Sequence, residues 1–332
     1  MSNKVLITGV AGLIGSNLSK YLIKKGHSII GIDDLSGGYK DFVPPEVKFY
    51  QFNLLDEEKL KEVFKKEKPE YVFHLAAYAA EGLSPYIRKF NYENNLICSV
   101  NVINNCVNNN IKKIIFTSSM AVYGVGNPPF NEQQIPSPID PYGVAKFSVE
   151  QDLKEAYEKF GLKYTIIRPH NVIGINQNIW DRYRNVIGIW IRKVINNEPI
   201  SIYGDGLQKR AFSDIKFYME PFEKVIYDFD NEIFNVGADK EFKILDVANL
   251  LKEISSKHGF SSSIVHYEPR TEVKDAFCNH DKAKQLLNFV DQTNIYETIE
   301  EMFLWALKQP NREVKYMDYE IEKNLYSFWR KR

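Results

Sequence analysis

The stretch KVLITGVAGLIGSNL, residues 4–18, decides the fold. Lys4–Gly9 is a short apolar run, the mark of a buried strand. Gly9, Gly12 and Gly15 follow in a G-x-x-G-x-x-G loop, and Leu13 opens a segment with helical periodicity up to about residue 25. Glycines at these positions allow a tight turn and let backbone N–H groups approach a pyrophosphate, which the helix N-terminus then stabilises. Gly12, Leu13 and Ile14 would bring those N–H groups to the ligand. A second apolar run, SIIGID (28–33), ends in the acidic pair Asp33-Asp34. An acid there accepts hydrogen bonds from a ribose 2′-hydroxyl and repels a 2′-phosphate, which favours NAD over NADP.

The same alternation continues along the first half of the chain. VKFYQFNL (47–54), YVFHLAA (71–77), KKIIFTSS (112–119) and KYTIIRP (163–169) read as strands, and segments 56–66, 91–109 and 142–160 between them read as helices. Strands separated by helices indicate βαβ units, and strands apolar throughout indicate a parallel sheet covered on both faces. The fold class is therefore α/β, a Rossmann-type doubly wound parallel sheet. The second half is less regular, with helical periods at about 244–258, 281–289 and 295–308. It suggests a smaller, discontinuous substrate-binding lobe. The division expected is 1–170 plus about 212–236 for the dinucleotide domain, 171–211 and 237–310 for the second lobe, and 311–332 as a tail. The tail mixes aromatics with charges and is expected to pack on the body or a partner subunit, or to form an exposed helix.

With 43 basic and 43 acidic side chains the formal net charge is zero, so nothing points to nucleic acid or an anionic membrane. Three scattered cysteines suit neither a disulfide framework nor a zinc site, and the six histidines lack ligand-like spacing, so no metal is expected. The absence of a long apolar run leads to the expectation of a cytoplasmic protein.

Two motifs carry chemistry. In PYGVAK (141–146), Tyr142 and Lys146 stand at i and i+4, on one helix face. An ammonium beside a phenol favours the phenolate, so the tyrosine pKa is expected below about 10 and the group can act as a base. In TSSMAVYG (117–124), Ser119 ends a parallel strand, at the sheet edge where α/β proteins place their sites.

The glycine loop, HLAA (74–77), SSMAVYG, PYGVAK, RPHNVIG and YGDGLQKRAF occur in the order typical of the extended short-chain dehydrogenase/reductase family. The chain resembles its nucleotide-sugar epimerase/dehydratase branch over roughly residues 3–308. The resemblance implies a catalytic triad of Ser119, Tyr142 and Lys146, with Ser118 near the nicotinamide. It implies that Asn53, Leu54, Leu75, Ala76, Ala77 and Pro169 line the cofactor site and that Asn95 supports it. Asn53 replaces a usual aspartate. The resemblance also implies a nucleotide sugar, UDP-linked, with Asn171, Arg210 and Arg270 at the diphosphate. A homodimer packed through segments 91–109 and 142–160 is implied as well.

The residue after the serine pair narrows the chemistry. Dehydrating and decarboxylating members of the branch carry an acid in this stretch, whereas here Met120 and Ala121 follow Ser119. Neither can donate a proton. Oxidation and reduction at one carbon remain, most simply C4 epimerisation of a hexose or hexuronate through a 4-keto intermediate. Arg182 and Arg184 meet a uronate carboxylate or sit in solvent. Phe277 falls where relatives use bulk to exclude an N-acetyl group, which favours a non-acetylated sugar. The rival readings are a nucleotide-sugar dehydrogenase or reductase, an epimerase at C2 or C3/C5, and a non-catalytic dinucleotide-binding regulator.

Overall fold

The computed structural model describes residues 2–270, 273 and 275–330. Strands β1 (Lys4–Thr8), β2 (Ser28–Asp33), β3 (Lys48–Gln51), β4 (Tyr71–His74), β5 (Lys113–Thr117) and β6 (Tyr164–Pro169) form one parallel sheet. A seventh strand, Glu232–Val236, extends it beside β6. The spatial order runs from that strand through β6, β5, β4, β1 and β2 to β3, so the direction of winding reverses between β1 and β4. A crevice opens at such a reversal, beyond the carboxyl ends of the strands.

Both faces of the sheet are covered, and this is why the strands are apolar throughout. One face meets α2 (Glu57–Glu67), α4 (Cys98–Asn108) and α5 (Pro141–Phe160) in a core that includes Leu60, Val102 and Leu153. The other meets α1 (Leu13–Lys24) and helix Met219–Tyr227. Capping explains where α5 lies: the Asp140 carboxylate accepts from Gly143 N, Pro141 opens the first turn, and Gly161 ends the helix at φ 73°.

The helix expected over 91–109 is a longer, interrupted run. It begins as α3 (Arg88–Tyr92), widens to a π-helical turn at Glu93–Ile97 and continues as α4. Such turns often mark functional sites. Here the turn carries Asn95.

The second lobe has its own core, with Ile187, Trp190, Ile202, Leu251 and Phe303 at its centre. It is built from helices Val186–Ile195, Ile244–Lys257 and Ile295–Leu307 and from small two- and three-stranded sheets. One boundary expected from the sequence is corrected. Helix Asp281–Leu287 does not belong to this core, because Ala283, Leu287 and Phe289 pack with Phe222 and Phe234 against the main sheet. The tail is not an exposed helix. It runs as an extended strap over the body, with Leu325 and Trp329 buried beside Tyr78, Leu83, Ile87 and Tyr183. Among the described residues no helix is long and apolar enough to cross a membrane.

Candidate active site

A cavity of about 1020 Å³ lies at the carboxyl edge of the sheet, between the two lobes. At one end are the glycine loop and the acidic pair. Gly9 turns at φ 72°, and a Cβ there would stand 2.8 Å from Ala76 Cα. A Cβ on Gly15 would stand 2.2 Å from Gly9 O, so only glycine lets α1 start this close to the turn. The first turn of α1 has no side-chain cap and no acidic residue. Its N–H groups and dipole therefore suit an anion supplied from outside.

Asp33 accepts from Ala11 N (3.0 Å) and Leu35 N (2.8 Å), tying β2 to the glycine loop. Burial raises its pKa, and the two backbone donors partly offset this. Asp34 accepts from Asn53 Nδ2 at 2.7 Å, so the amide that replaces the usual acid orients the second carboxylate. Leu54, Leu75, Ala76, Ala77 and Pro169 line the same cavity. Thr8 Oγ1 accepts from Leu75 N and Ala76 N and contacts His74 Nδ1 at 2.7 Å, which fixes the HLAA segment against β1. Asn95 does not line the cavity. Its amide brackets the backbone of Tyr78, accepting from N (2.8 Å) and donating to O (3.1 Å), and thereby shapes the wall.

At the cavity floor, Ser119, Tyr142 and Lys146 come together although β5 and α5 are separate in sequence. The Ser119 hydroxyl accepts from Ala121 N and lies close enough to the Tyr142 phenol to lower its pKa. Lys146 Nζ donates to Thr117 O at 2.8 Å and lies 5.9 Å from the centroid of the Tyr142 ring. The expected acidic tyrosine is corrected. Burial dominates and raises the Tyr142 pKa, the charges of Glu81 and Asp140 add to the rise, and Ser119 and Arg184 oppose it. Burial likewise lowers Lys146 to about 7, against a smaller upward effect of Glu150. Neither charged form is solvated here, so desolvation outweighs the ammonium's effect on the phenol.

Ser118 lines the cavity, and its hydroxyl donates to Glu150 Oε1 at 2.5 Å. Glu150 in turn holds Arg168 through two hydrogen bonds, Nε–Oε1 at 2.9 Å and Nη2–Oε2 at 2.6 Å. This buried pair under the triad went unread in the sequence, because nothing local links residues 150 and 168.

At the far end the cavity is lined by Asn171, Arg210, Arg270 and Tyr203. Arg210 donates to the carbonyls of Lys209 and Val273, and the Arg270 guanidinium lies 3.6 Å from the Tyr203 ring centroid. Two substrate residues expected from the sequence are placed elsewhere. Arg182 donates to Phe328 O at 2.7 Å and lies over the Tyr316 ring, so it holds the tail. Arg184, two residues on, lines the cavity over Tyr78 and lies 3.1 Å from Asp181. Phe277 is absent from the cavity wall, where Ala276 stands instead, and its carbonyl accepts from Phe130 N. The bulk that favoured a non-acetylated sugar is therefore not at the site.

Comparison with known proteins establishes the family. Residues 5–237 match the model of the NAD dependent epimerase/dehydratase family. The chain belongs to that family. A putative UDP-glucose 4-epimerase of Methanocaldococcus jannaschii is 30% identical over 93% of this chain and 99% of its own. The UDP-glucose 4-epimerase of Thermotoga maritima, solved with UDP-glucose, superposes with a TM-score of 0.86 at 31% identity, covering 92% of this chain and 99% of that one. The UDP-glucuronic acid 4-epimerase of Bacillus cereus, solved with UDP-glucuronic acid and NAD, gives 0.82 at 25% identity over 92% and 99%.

NAD is the cofactor of the family, and the residues present fit it. The steric closure at Gly9 and Gly15, the uncapped start of α1 and the carboxylates of Asp33 and Asp34 would hold a pyrophosphate and a ribose diol along one wall. Wall residues missed in the sequence are Tyr78, Glu81, Asn324 and Tyr326. The tail pair carries no motif; only its aromatic content set that segment apart.

Proposed function

We propose that this family member is an NAD-dependent 4-epimerase of a UDP-linked hexose or hexuronate. The observation that carries the reading is the convergence of Ser119, Tyr142 and Lys146 beside the cofactor wall, with Met120 and Ala121 following the serine. UDP-sugar 4-epimerase activity in the named relatives supports it.

NAD, when bound, would supply the acceptor and donor for a hydride at C4 and a cationic ring beside the phenol. The chain's own residues manage the proton. The Tyr142 phenol takes the proton of the sugar 4-hydroxyl and later gives it back. Ser119 hydrogen-bonds O4 and holds it beside the phenol. Lys146, with a pKa of about 7, is partly protonated near neutral pH, and its ammonium favours the phenolate state. Asn171, Arg210 and Arg270 face the diphosphate, where guanidinium groups match phosphate oxygens. Between oxidation and re-reduction, within one turnover, the 4-keto sugar must present its other face to the cofactor wall.

The test is proton NMR of purified protein with UDP-glucose, UDP-galactose, UDP-glucuronate and their N-acetylated relatives, without reductant. A stable mixture of C4 epimers from one of them is expected. Ala276 at the sugar end keeps the N-acetylated sugars in the panel. No conversion of any UDP sugar, with NAD added, would overturn the reading. One observation favours a second reading, 4,6-dehydration: Glu81 lines the cavity and its charge reaches Tyr142. Loss of the C6 hydroxymethyl signals in the same spectra would identify it. We also infer a homodimer through α4 and α5, since Ile97 beside α4 and Tyr157 and Phe160 on α5 are exposed. Light scattering on the eluted protein is expected to give twice the chain mass.

A further inference from the structure

The strap formed by residues 312–329 ties the two sides of the cavity together. Near its start, Arg312 lies 3.8 Å from the Tyr39 ring centroid and pairs with Asp41. Lys315 Nζ then donates to Leu35 O and Ser36 O, just past the acidic pair. The Glu320 carboxylate accepts from Lys89 N and Phe90 N, at 2.7 and 2.8 Å. Asn324 and Tyr326 reach the cavity wall itself.

The end of the strap meets Arg270. The guanidinium sits 3.6 Å from the centroid of Tyr203 and 5.0 Å from those of Phe328 and Trp329. Its Nε is buried with no hydrogen-bond partner among the described residues. Among the described residues no carboxylate forms an ion pair with it. A flexible arginine is thus held by ring faces, and this leaves its donors for a ligand rather than for a protein acid. Trp329 is buried, and its indole Nε1 likewise has no partner among the described residues, so the ring serves by its shape and its π-face alone.

We propose that the C-terminal strap completes the nucleotide end of the substrate site: Trp329 and Phe328 position Arg270 for the diphosphate, and Tyr326 forms part of the wall. Trp329 is a positioning residue, because it acts through Arg270. The inference rests on the nucleotide-sugar reading above.

The experiment measures UDP binding by calorimetry, and kcat and KM with whichever UDP-sugar is converted, on the full chain with NAD bound. In Trp329→Ala, UDP binding is expected to weaken roughly 3- to 30-fold, the range spanned by a cation–π contact. KM should rise by a similar factor while kcat stays within about twofold, since the triad lies at the other end of the sugar. Trp329→Phe should restore binding, because it keeps a ring and loses no hydrogen bond. In an Arg270→Ala background, Trp329→Ala should have little further effect. If Trp329→Ala does not fold, Phe328→Ala, which removes a half-buried ring, carries the same expectation. Unchanged UDP affinity in a folded, NAD-containing Trp329→Ala protein would overturn this inference alone. Absence of UDP binding by the unaltered protein would overturn the nucleotide-sugar reading and this inference with it.

Discussion

Replacing Glu150 by glutamine is expected to cost stability and to shift the pH dependence of activity, although Glu150 touches no atom expected to react. Its carboxylate is fully buried and binds Arg168 through both oxygens, and it also accepts from Ser118. Arg168 is 2% exposed; burial opposes its charge, and the Glu150 hydrogen bonds and charge, with a smaller contribution from Tyr123, hold its pKa above the ordinary value. Removing one partner of such a pair leaves a buried charge uncompensated, at a cost of about 3–5 kcal/mol. For a chain of 332 residues that corresponds to a fall in melting midpoint of roughly 4–7 °C. A second consequence reaches the site. Glu150 raises the Lys146 pKa, which burial has lowered to about 7. Without the carboxylate, Lys146 loses its proton at lower pH. The proposed mechanism needs the ammonium, so the alkaline limb of activity should move to lower pH. Scanning calorimetry and a pH–rate profile of Glu150→Gln test both parts. A midpoint within 2 °C of the parent protein, with an unmoved alkaline limb, would refute the reasoning. Replacing Glu150 and Arg168 together by apolar residues should recover part of the lost stability, because no lone charge then remains.

Three further outcomes follow from the same geometry. Tyr142→Phe is expected to lower turnover by about 10²–10⁴-fold while NAD, measured by absorbance after denaturation, stays bound; comparable turnover would remove Tyr142 as the base. Gly15→Ala places a Cβ 2.2 Å from Gly9 O and 2.7 Å from Val10 Cα, both rigid backbone, so NAD affinity in a titration should fall at least about tenfold. A variant that keeps NAD as the parent does would show that the turn opens freely. Burial lowers His74 and His170 to about 3 from an ordinary 6.5. Between those values the unfolded chain binds protons that the folded chain does not, so the stability present above pH 6.5 is lost as pH falls. Each histidine contributes about 1.4 kcal/mol per pH unit within that window, and a urea midpoint flat from pH 6.5 to 4.5 would contradict it.

The sequence by itself determined the parallel sheet, the glycine turn and the pairing of Tyr142 with Lys146. Each is a local pattern: an apolar run, three glycines at fixed spacing, or two side chains four residues apart on a helix. Residues a few positions apart feel the same backbone geometry wherever the rest of the chain goes. The seventh strand carries no reading from the sequence, and helix Asp281–Leu287, legible as a helix, is not legible as part of the main core, because its apolar residues acquire their partners only when the sheet is assembled. Tertiary structure alone decided that Arg184 and Ala276 face the cavity while Arg182 and Phe277 do not, since a one- or two-residue change of direction in an irregular segment has no periodic signature. It alone joined Glu150 to Arg168 and laid the tail beside Arg270. It also reversed the expected pKa of Tyr142. Spacing gives the distance from a lysine, but desolvation depends on everything packed around the pair, and that is a property of the folded whole.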